Sequence, residues 1–270
     1  MTREARNPFP HLIVYGAWIA LFVIAPLALV FYYSMFDING NWGFMNYRRF
    51  FTPVYLTMTL RSVWYAALIT GISLIVAYPT AYVISRTRHK RLWLLLTVLP
   101  SWVNLLLKAY AFMGLFGTHG PVNAFLNAIG IGNQQIMFTD FSFLFVAVYI
   151  FIPFMILPIF NSIDEISPSL IAAAHDLGAS SWVTLKRVIF PLSMNGVKAG
   201  SRAVFIPTLS LFMITRLIAG NRVITLGTAI EQHFLVTQDW GMGATIAVFL
   251  VIAMGLTMAL TDSNRNERGA

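Results

Sequence analysis

Long apolar runs alternate with short polar segments along almost the whole chain. Each run is long enough to cross the roughly 30 Å hydrocarbon core of a bilayer as an α-helix. The runs cover residues 12–36, 62–85, 92–116, 141–163, 192–215 and 241–261. The pattern therefore predicts an all-α integral membrane protein with six transmembrane helices, built as one domain over residues 1–270.

The most informative polar segment lies between the fourth and fifth runs, at residues 162–191. Ser167 is placed to cap a helix that begins at Pro168, and Gly178 is a natural stop because glycine readily adopts left-handed backbone conformations. Either of the two adjacent serines that follow can cap a second helix, which Pro191 ends or kinks. We predict a helix, a tight turn and a second helix, a shape that suits the docking of a partner.

Composition supports a membrane location. Of 270 residues, 58% are hydrophobic and 10% are charged, with a mean hydropathy of +0.72, whereas soluble domains carry about 25% charged residues. The absence of cysteine excludes disulfides, thiolate metal sites and cysteine nucleophiles. The net charge of +8 comes from basic residues that flank the apolar runs, so it indicates membrane topology and no nucleic-acid partner.

Six crossings place both termini on one side of the membrane, and the basic residues indicate which side. If the termini are cytoplasmic, the inner segments hold Arg3, Arg6, Arg86, Arg88, Lys90, Arg91, Lys186, Arg187, Arg265 and Arg268. The outer segments then hold Arg48, Arg49, Arg61, Arg222 and, at a boundary, Arg216. This excess predicts that both termini and segment 162–191 are cytoplasmic.

Segment 162–191 resembles the signature loop of ATP-binding-cassette (ABC) importer permeases. In that loop Glu-Ala-Ala is followed by three residues, a glycine, nine residues, Ile, one residue and Leu-Pro. Aligned on Gly178, the pattern keeps its spacing to Pro191 but has Ala172 in place of the glutamate. In the family this EAA loop forms the coupling helix, which sits in a groove of the ATPase. The resemblance implies that the coupling residues are Ala172, Ala173, Ala174, His175, Asp176, Leu177, Gly178, Ala179, Ser180 and Pro191.

Four other stretches, at residues 99–116, 136–160, 175–180 and 208–220, are similar to the B-type permease subunit of spermidine/putrescine importers. The resemblance implies a type I importer permease (MetI-like) fold in a bacterial inner (cytoplasmic) membrane, surrounded by lipid. It also implies three partners: a homologous C-type permease, a cytoplasmic ABC ATPase dimer and an extracellular polyamine-binding protein. ATP and Mg would bind to the ATPase, with no cofactor in this chain.

Polar residues inside the third and fifth runs are candidates for a translocation path. Ser101, Asn104, Lys108, Phe112 and Leu115 would share one face of a continuous helix. Lys108 could face a cavity, meet a partner group or extend to an interface, and Trp102 could stack on a cation or pack on a helix. The predicted path residues are Trp102, Asn104, Lys108, Tyr110, Phe112, Thr208, Ser210 and Phe212.

Residues 219–240 form the predicted external segment before the last run. Glu231, Asp239 and Trp240 are either part of a solvated rim or contacts for the substrate-delivery protein, and the sequence leaves both interpretations open. In the fifth run, Gly196 and Gly200 form a G-x-x-x-G pair that could bring another helix close.

Several kinds of site are missing from the sequence. The six runs contain no Asp or Glu, which ion-coupled carriers usually need. A phosphate-binding G-x-x-x-x-G-K-[ST] loop, hydrolase motifs and clustered metal ligands are also missing. We therefore expect a non-enzymatic transport subunit whose energy comes from a partner. The alternatives are a permease for another small organic solute, a stand-alone secondary carrier and a membrane scaffold that binds an ATPase.

Overall fold

The computed structural model describes residues 9–220 and 222–262. Within these ranges the chain is helical and contains no strand beyond an isolated bridge between Phe36 and Trp42. The predicted cytoplasmic placement of both termini rests partly on Arg3, Arg6, Arg265 and Arg268, which lie outside the described residues.

Fifteen α-helices are described, and three short π or 3₁₀ segments join some of them. The helices are α1 Phe9–Ile19, α2 Ala25–Ser34, α3 Met45–Phe50, α4 Pro53–Arg86, α5 Lys90–Val98, α6 Leu105–Phe116, α7 Pro121–Ala128, α8 Asp140–Asp164, α9 Pro168–Asp176, α10 Ser181–Thr184, α11 Phe190–Leu192, α12 Met194–Leu209, α13 Met213–Leu217, α14 Leu226–Leu235 and α15 Trp240–Asp262. The joining segments are the π-turns Ala20–Ile24 and Leu185–Ile189 and the 3₁₀ turn Leu99–Trp102.

Four stretches of helix in the described part of the chain are long and apolar enough to cross a membrane. They are Ile13–Ser34, Pro53–Arg86, Asp140–Asp164 and Trp240–Ala259, and they coincide with the first, second, fourth and sixth predicted runs. The third and fifth runs differ from the prediction, so the count of six straight transmembrane helices is not confirmed.

The third run is a bent pair of helices. Lys90–Trp102 and the helical stretch that begins at Leu105 meet at 91°. Val103 and Asn104 have extended backbone conformations, and the Asn104 side chain accepts a hydrogen bond of 2.8 Å from the Leu106 N–H. The prediction of one continuous helix over 92–116 is therefore wrong, because a capping asparagine begins a new helix inside an apolar run.

The fifth run is broken as well. α12 ends at Leu209, and α13 begins only at Met213. The Thr225 hydroxyl donates a hydrogen bond of 2.8 Å to the Leu211 carbonyl in the break, and Gly227 packs directly on the Ser210 carbonyl, where a Cβ atom would collide. The single helix predicted over 192–215 is therefore wrong, because residues distant in sequence satisfy the carbonyls that a continuous helix would use.

The described residues divide into two compact units. The first contains the residues up to Leu56 together with 229–252, and the second contains 57–228 together with the residues from Ala253 onward. In the first, Phe50 stacks on Phe249 with ring centroids 3.9 Å apart. In the second, α12 packs on α8, and a Cβ on Gly196 would lie 2.6 Å from the Ser162 Cβ. The G-x-x-x-G pair therefore lets these two helices approach closely.

Candidate functional site

Residues 167–191 form an exposed hairpin that follows α8. Ser167 caps α9 by accepting a hydrogen bond from the Ser169 N–H, with Pro168 as the first helical residue. At the other end Gly178 has φ of +80°, its N–H donates to the His175 carbonyl (2.9 Å), and the Ala179 N–H donates to the Ala174 carbonyl (3.0 Å). This is a Schellman motif, and it closes the carbonyl end of α9.

The second half of the hairpin begins at Ser180, whose side chain accepts a hydrogen bond from the Val183 N–H. After one turn of α10 the helix widens into the π-turn Leu185–Ile189, two residues before Pro191. The same arrangement occurs before Pro26, which follows the π-turn Ala20–Ile24. A proline ring collides with the carbonyl four residues earlier, and the wider turn relieves that collision.

The hairpin has an anchored face and an exposed face. Ile171 and Leu185 pack against the core of the second unit, whereas Ala172 and Ala173 are exposed. At the tip, Leu177 is 90% exposed and Trp182 is 70% exposed. Two large exposed apolar side chains at one tip are typical of a surface that a partner protein buries.

The ten predicted coupling residues all fall in or at the end of this hairpin. Ala174 and Ala179 are half-buried, while the others are exposed, and the His175 Nδ1 donates a hydrogen bond of 3.0 Å to the Ala179 carbonyl across the turn. Trp182 was not predicted from the sequence. Its position just after a helix cap in a polar segment is a signal that could have identified it.

The base of the hairpin is joined to the bent pair of helices. Asp164 is the last residue of α8, and its carboxylate lies 2.5 Å from the Lys90 Nζ at the start of α5. Both side chains are partly exposed, so the ion pair adds little to stability, about 0–1 kcal/mol. It marks the point where the first half of the bent pair meets the root of the hairpin.

A second candidate region is an open groove of about 320 Å³, which we call the Lys108 groove. Its lining residues are Pro100, Val103, Leu107, Lys108, Ala111, Phe112, Leu115 and Tyr149. The rings of Phe112 and Tyr149 meet edge to face at 5.0 Å. Tyr149 was not predicted from the sequence, because it lies on α8 and reaches this groove only through tertiary packing.

Lys108 is the only charged side chain among the residues that line this groove, and it is 8% exposed. Within the described residues it forms no ion pair with a carboxylate. An ammonium group in such a position is costly unless water, a ligand or another chain compensates it. Lys108 lines this groove, and its assignment to the translocation path stays a prediction.

The polar face predicted for the third run is only partly present. Lys108, Phe112 and Leu115 line the groove together, but Ser101 and Asn104 lie before the bend and so do not continue that face. Their side chains bond locally, Ser101 to the Val98 carbonyl and Asn104 to the Leu106 N–H. The shared face predicted for all five residues is therefore wrong, because it assumed a straight helix.

Two aromatic residues of the predicted path lie outside the groove lining. Trp102 ends the 3₁₀ turn at the bend and is 78% exposed, and Tyr110 is exposed on α6. Both side chains are thus largely accessible to a partner chain, a lipid or a cargo molecule.

The predicted path residues of the fifth run also lie outside the groove. Thr208 is buried, and its hydroxyl donates to the carbonyls of Val204 (2.9 Å) and Phe205 (2.8 Å) of its own helix. Ser210 donates to the Pro207 carbonyl at 3.2 Å, and Phe212 is partly exposed at the break after α12. The hydroxyl groups of Thr208 and Ser210 are thus engaged by backbone.

The predicted delivery-protein contacts belong to the first unit and differ in accessibility. Asp239 is 3% exposed, forms an ion pair with Arg49 (3.1 Å) and accepts a hydrogen bond from the Met242 N–H at the start of α15. Its assignment as a surface contact is therefore wrong, because a helix-capping role buries its carboxylate. Trp240 is exposed, and Glu231 is partly exposed.

His233 lies beside this buried carboxylate. Burial lowers the pKa of His233, and the negative charge of Asp239 partly opposes that shift. The Tyr55 hydroxyl and the His233 Nε2 are 2.9 Å apart. These contacts make the Asp239 neighbourhood a structural element of the first unit.

Among residues 9–220 and 222–262, no group of three or more His, Cys, Asp or Glu side chains is placed to hold a metal ion.

Comparison with known proteins gives a family match and relatives that are transport permeases. Residues 70–263 match the family described as "Binding-protein-dependent transport system inner membrane component". The chain is 34% identical to the spermidine/putrescine transport system permease protein PotB of Escherichia coli K12, over 89% of this chain and 91% of that protein. It is 32% identical to the protein of the same name from Haemophilus influenzae, over 89% and 87% of the two chains.

Solved structures give the same architecture. A chain in the crystal structure of a bacterial ABC transporter involved in the import of the acidic polysaccharide alginate matches with a TM-score of 0.74, at 15% identity, over 97% of this chain and 96% of that one. The alginate transporter in complex with its alginate pentasaccharide-bound periplasmic protein matches with a TM-score of 0.72, at 16% identity, over 96% and 94%. At this identity the likeness concerns the fold alone, and it confirms the predicted all-α fold class.

Proposed function

The chain belongs to the family of binding-protein-dependent transport system inner membrane components, and from this premise we propose that it is a permease subunit of an ATP-driven polyamine importer. As a member of that family with several apolar helices, it is a multi-pass protein of the inner membrane. In this proposal it forms half of the path for spermidine and putrescine beside a homologous C-type permease. A periplasmic binding protein delivers the cargo, and a cytoplasmic ATPase dimer binds ATP and Mg.

The observation that carries the polyamine assignment is the similarity to PotB proteins along nearly the whole chain. It includes both the exposed hairpin and the Lys108 groove, because the aligned region covers 89% of this chain. A shared substrate is the simplest reason for a similarity that extends over docking and path regions alike.

The exposed hairpin supports the coupling role. Its caps and its Schellman motif hold the backbone, and its apolar tip is open to a partner. A partner that moves the tip moves α8, because only Glu165 and Ile166 lie between the end of α8 and the Ser167 cap. The same displacement reaches α5 through the Lys90–Asp164 ion pair. In the proposed cycle, closure of the ATPase dimer shifts the hairpin and thereby reorients the path. The hairpin and both termini are then cytoplasmic.

The electrostatics of the Lys108 groove favour a second candidate, a permease for another small organic solute. The buried ammonium repels a polycation but attracts a carboxylate or a polarised carbonyl. If polyamines pass here, the faces of Phe112 and Tyr149 or the partner permease must supply the attraction. An anionic organic solute would instead pair with Lys108 directly.

Uptake by the reconstituted complex separates the two candidates. The chain is assembled in proteoliposomes with the C-type permease, the ATPase and the binding protein, and uptake of radiolabelled spermidine and putrescine is measured with ATP and without it. We expect ATP-dependent uptake that unlabelled polyamine competes away. Competition by an organic anion alone would favour the second candidate, whereas uptake without ATP would indicate a secondary carrier. ATPase binding without any uptake would indicate a scaffold.

A further inference from the structure

A charged cleft lies at the end of α8 that is distant from the exposed hairpin. Its volume is about 580 Å³, and it is lined by Arg61, Trp64, Tyr65, Thr139, Asp140 and Arg222. We call it the arginine cleft. α8 has 25 residues and is therefore about 37 Å long at 1.5 Å per residue. The arginine cleft and the hairpin consequently lie at opposite ends of a helix long enough to cross the membrane.

The cleft is built by α4 and by the start of α8. Arg61, Trp64 and Tyr65 are spaced by three and four residues, so they share one face of α4. The Tyr65 hydroxyl donates a hydrogen bond of 3.1 Å to Asp140 Oδ1. This bond joins the α4 face to the first turn of α8.

A fixed turn brings Arg222 to the same place. The Phe138 N–H donates a hydrogen bond of 3.0 Å to the Ile218 carbonyl, and Phe138 has a left-handed φ of 62°. Gly220, with φ of 58°, lies under the Phe138 ring, where a Cβ would be 2.7 Å from the nearest ring carbon. Left-handed backbone at a phenylalanine costs about 1–3 kcal/mol and persists only where the surroundings hold it. Arg222 follows this turn, its N–H donates a hydrogen bond of 3.1 Å to the Ala219 carbonyl, and its side chain lines the same cleft as Asp140.

The charge of the cleft is unbalanced. Two guanidinium groups, Arg61 and Arg222, face one carboxylate, Asp140, which already accepts a hydrogen bond from Tyr65. Between Phe9 and Asp262, leaving Asn221 aside, neither arginine forms an ion pair with a carboxylate. Such a site repels an ammonium group, so it does not suit a polyamine. It suits a carboxylate, which guanidinium groups bind with paired hydrogen bonds.

We propose that the arginine cleft receives an acidic side chain of the solute-loaded binding protein. The inference rests on the proposed function, in which the hairpin is cytoplasmic and the opposite end of α8 is periplasmic. A protein is favoured as the source of the carboxylate because Trp64, beside the two arginines, is exposed. An exposed tryptophan next to arginines is typical of the residues that dominate protein interfaces.

Binding of the delivery protein to the complete transporter in nanodiscs tests the proposal. Arg61→Gln and Arg222→Gln remove one positive charge each, and we expect each to weaken binding of the loaded protein about 3- to 10-fold and to reduce its salt dependence. The double variant should bind the loaded delivery protein about 10- to 50-fold more weakly. Arg48→Gln removes an exposed arginine outside the cleft and serves as the matched control. ATPase activity without the delivery protein should be unchanged in all four variants, which shows that they are folded and assembled.

Asp140→Asn should change the affinity for the delivery protein in the direction opposite to the arginine variants. Removing the carboxylate raises the positive potential of the cleft, so we expect binding about 2- to 5-fold tighter. Weaker binding for Asp140→Asn, with no loss for the arginine variants, would mean that the cleft attracts a cation and would overturn the proposal.

Two further outcomes also decide against it. If the double arginine variant binds the delivery protein as tightly as the unchanged complex, the cleft is not a docking site, although ATP-dependent uptake by the unchanged complex would leave the proposed function standing. If the loss occurs in nanodiscs with phosphatidylglycerol but not with phosphatidylcholine alone, the cleft binds a lipid phosphate. Failure of the unchanged complex to bind any loaded delivery protein would instead contradict the proposed function.

Discussion

The exposed hairpin and the Lys108 groove belong to the same compact unit, yet their geometry has different origins. The hairpin is specified by neighbours in sequence, since Ser167, Gly178 and Ser180 each act within five residues. The groove requires a bend between α5 and α6 and a wall from α8 that contributes Tyr149. The comparison teaches that the docking part of this chain is locally encoded, whereas the candidate path is made by helices that come from distant parts of the sequence.

The largest effect that this contrast predicts is at the hairpin tip. Replacing both Leu177 and Trp182 by Asp should lower ATP-dependent uptake about 30- to 100-fold, since exposed apolar side chains of this kind carry much of the energy of an interface. The unfolding temperature should stay unchanged because both side chains are exposed. Replacing Leu235 and Val236 by Asp is the matched control, because both are similarly exposed but lie outside the hairpin. An equal loss in the control would contradict the special role of the tip.

The next effect concerns the stability that is lost by burying Lys108 in the groove. Lys108→Met should raise the free energy of unfolding by about 1–2 kcal/mol, because it removes a buried ammonium group that has no ion-pair partner in the described residues. Thermal unfolding followed by tryptophan fluorescence measures this change. Lys108→Arg keeps the charge and should give no gain. A loss of stability in Lys108→Met would show that the ammonium group has a compensating partner.

A smaller effect is expected at two helix caps, one in the hairpin and one beside the Lys108 groove. Ser167→Ala and Asn104→Ala should each cost about 1 kcal/mol. Hydrogen exchange should rise only in α9 for the first variant, but on both sides of the bend for the second, because Asn104 starts the helix that lines the groove. Asn104→Asp retains an acceptor at the cap and is the control. Faster exchange confined to α6 in Asn104→Ala would mean that the bend is held by other contacts.

The smallest effect is expected from restoring the glutamate at the start of the coupling pattern. Ala172 is exposed, so Ala172→Glu adds an ion pair with the ATPase that is worth about 0.5 kcal/mol, or two- to threefold in stimulated ATPase activity. Ala173→Glu places the same charge one position away and should give less. No difference between Ala172→Glu and the unchanged chain would mean that coupling does not depend on that carboxylate.

Local cues account for what could be predicted. The cap at Ser167 and the stop at Gly178 correspond to observed features, because each depends on residues a few positions apart. The bend could not be inferred from hydropathy, since α5 and α6 are both apolar. Its signal was Asn104, an N-cap residue that was assigned to a helix face instead.

Distant contacts account for what could not be predicted. Nothing near Asp239 in the sequence indicates Arg49, which pairs with it across 190 positions. In the same way, Arg61 and Arg222 form one cleft only because the structure brings α4, α8 and the turn at Gly220 together. The sequence alone predicts that a charged residue between apolar helices is exposed. It cannot indicate whether a residue distant in sequence pairs with that charge and buries it.

The sequence by itself determined that this is a membrane protein and how its hairpin is capped. It also determined the ends of the four long apolar helices to within a few residues, except at the start of α4. Hydropathy, capping and glycine geometry act over less than a helix length, so they can be read along the chain. Only the tertiary structure decided that the third and fifth runs break, that Lys108 is buried in a groove, and that two arginines meet at the far end of α8. The fifth run breaks where Thr225, distant in sequence, bonds to a carbonyl inside it. Lys108 and the two arginines are brought into their sites by the packing of helices that are distant in sequence, and no local pattern encodes that packing.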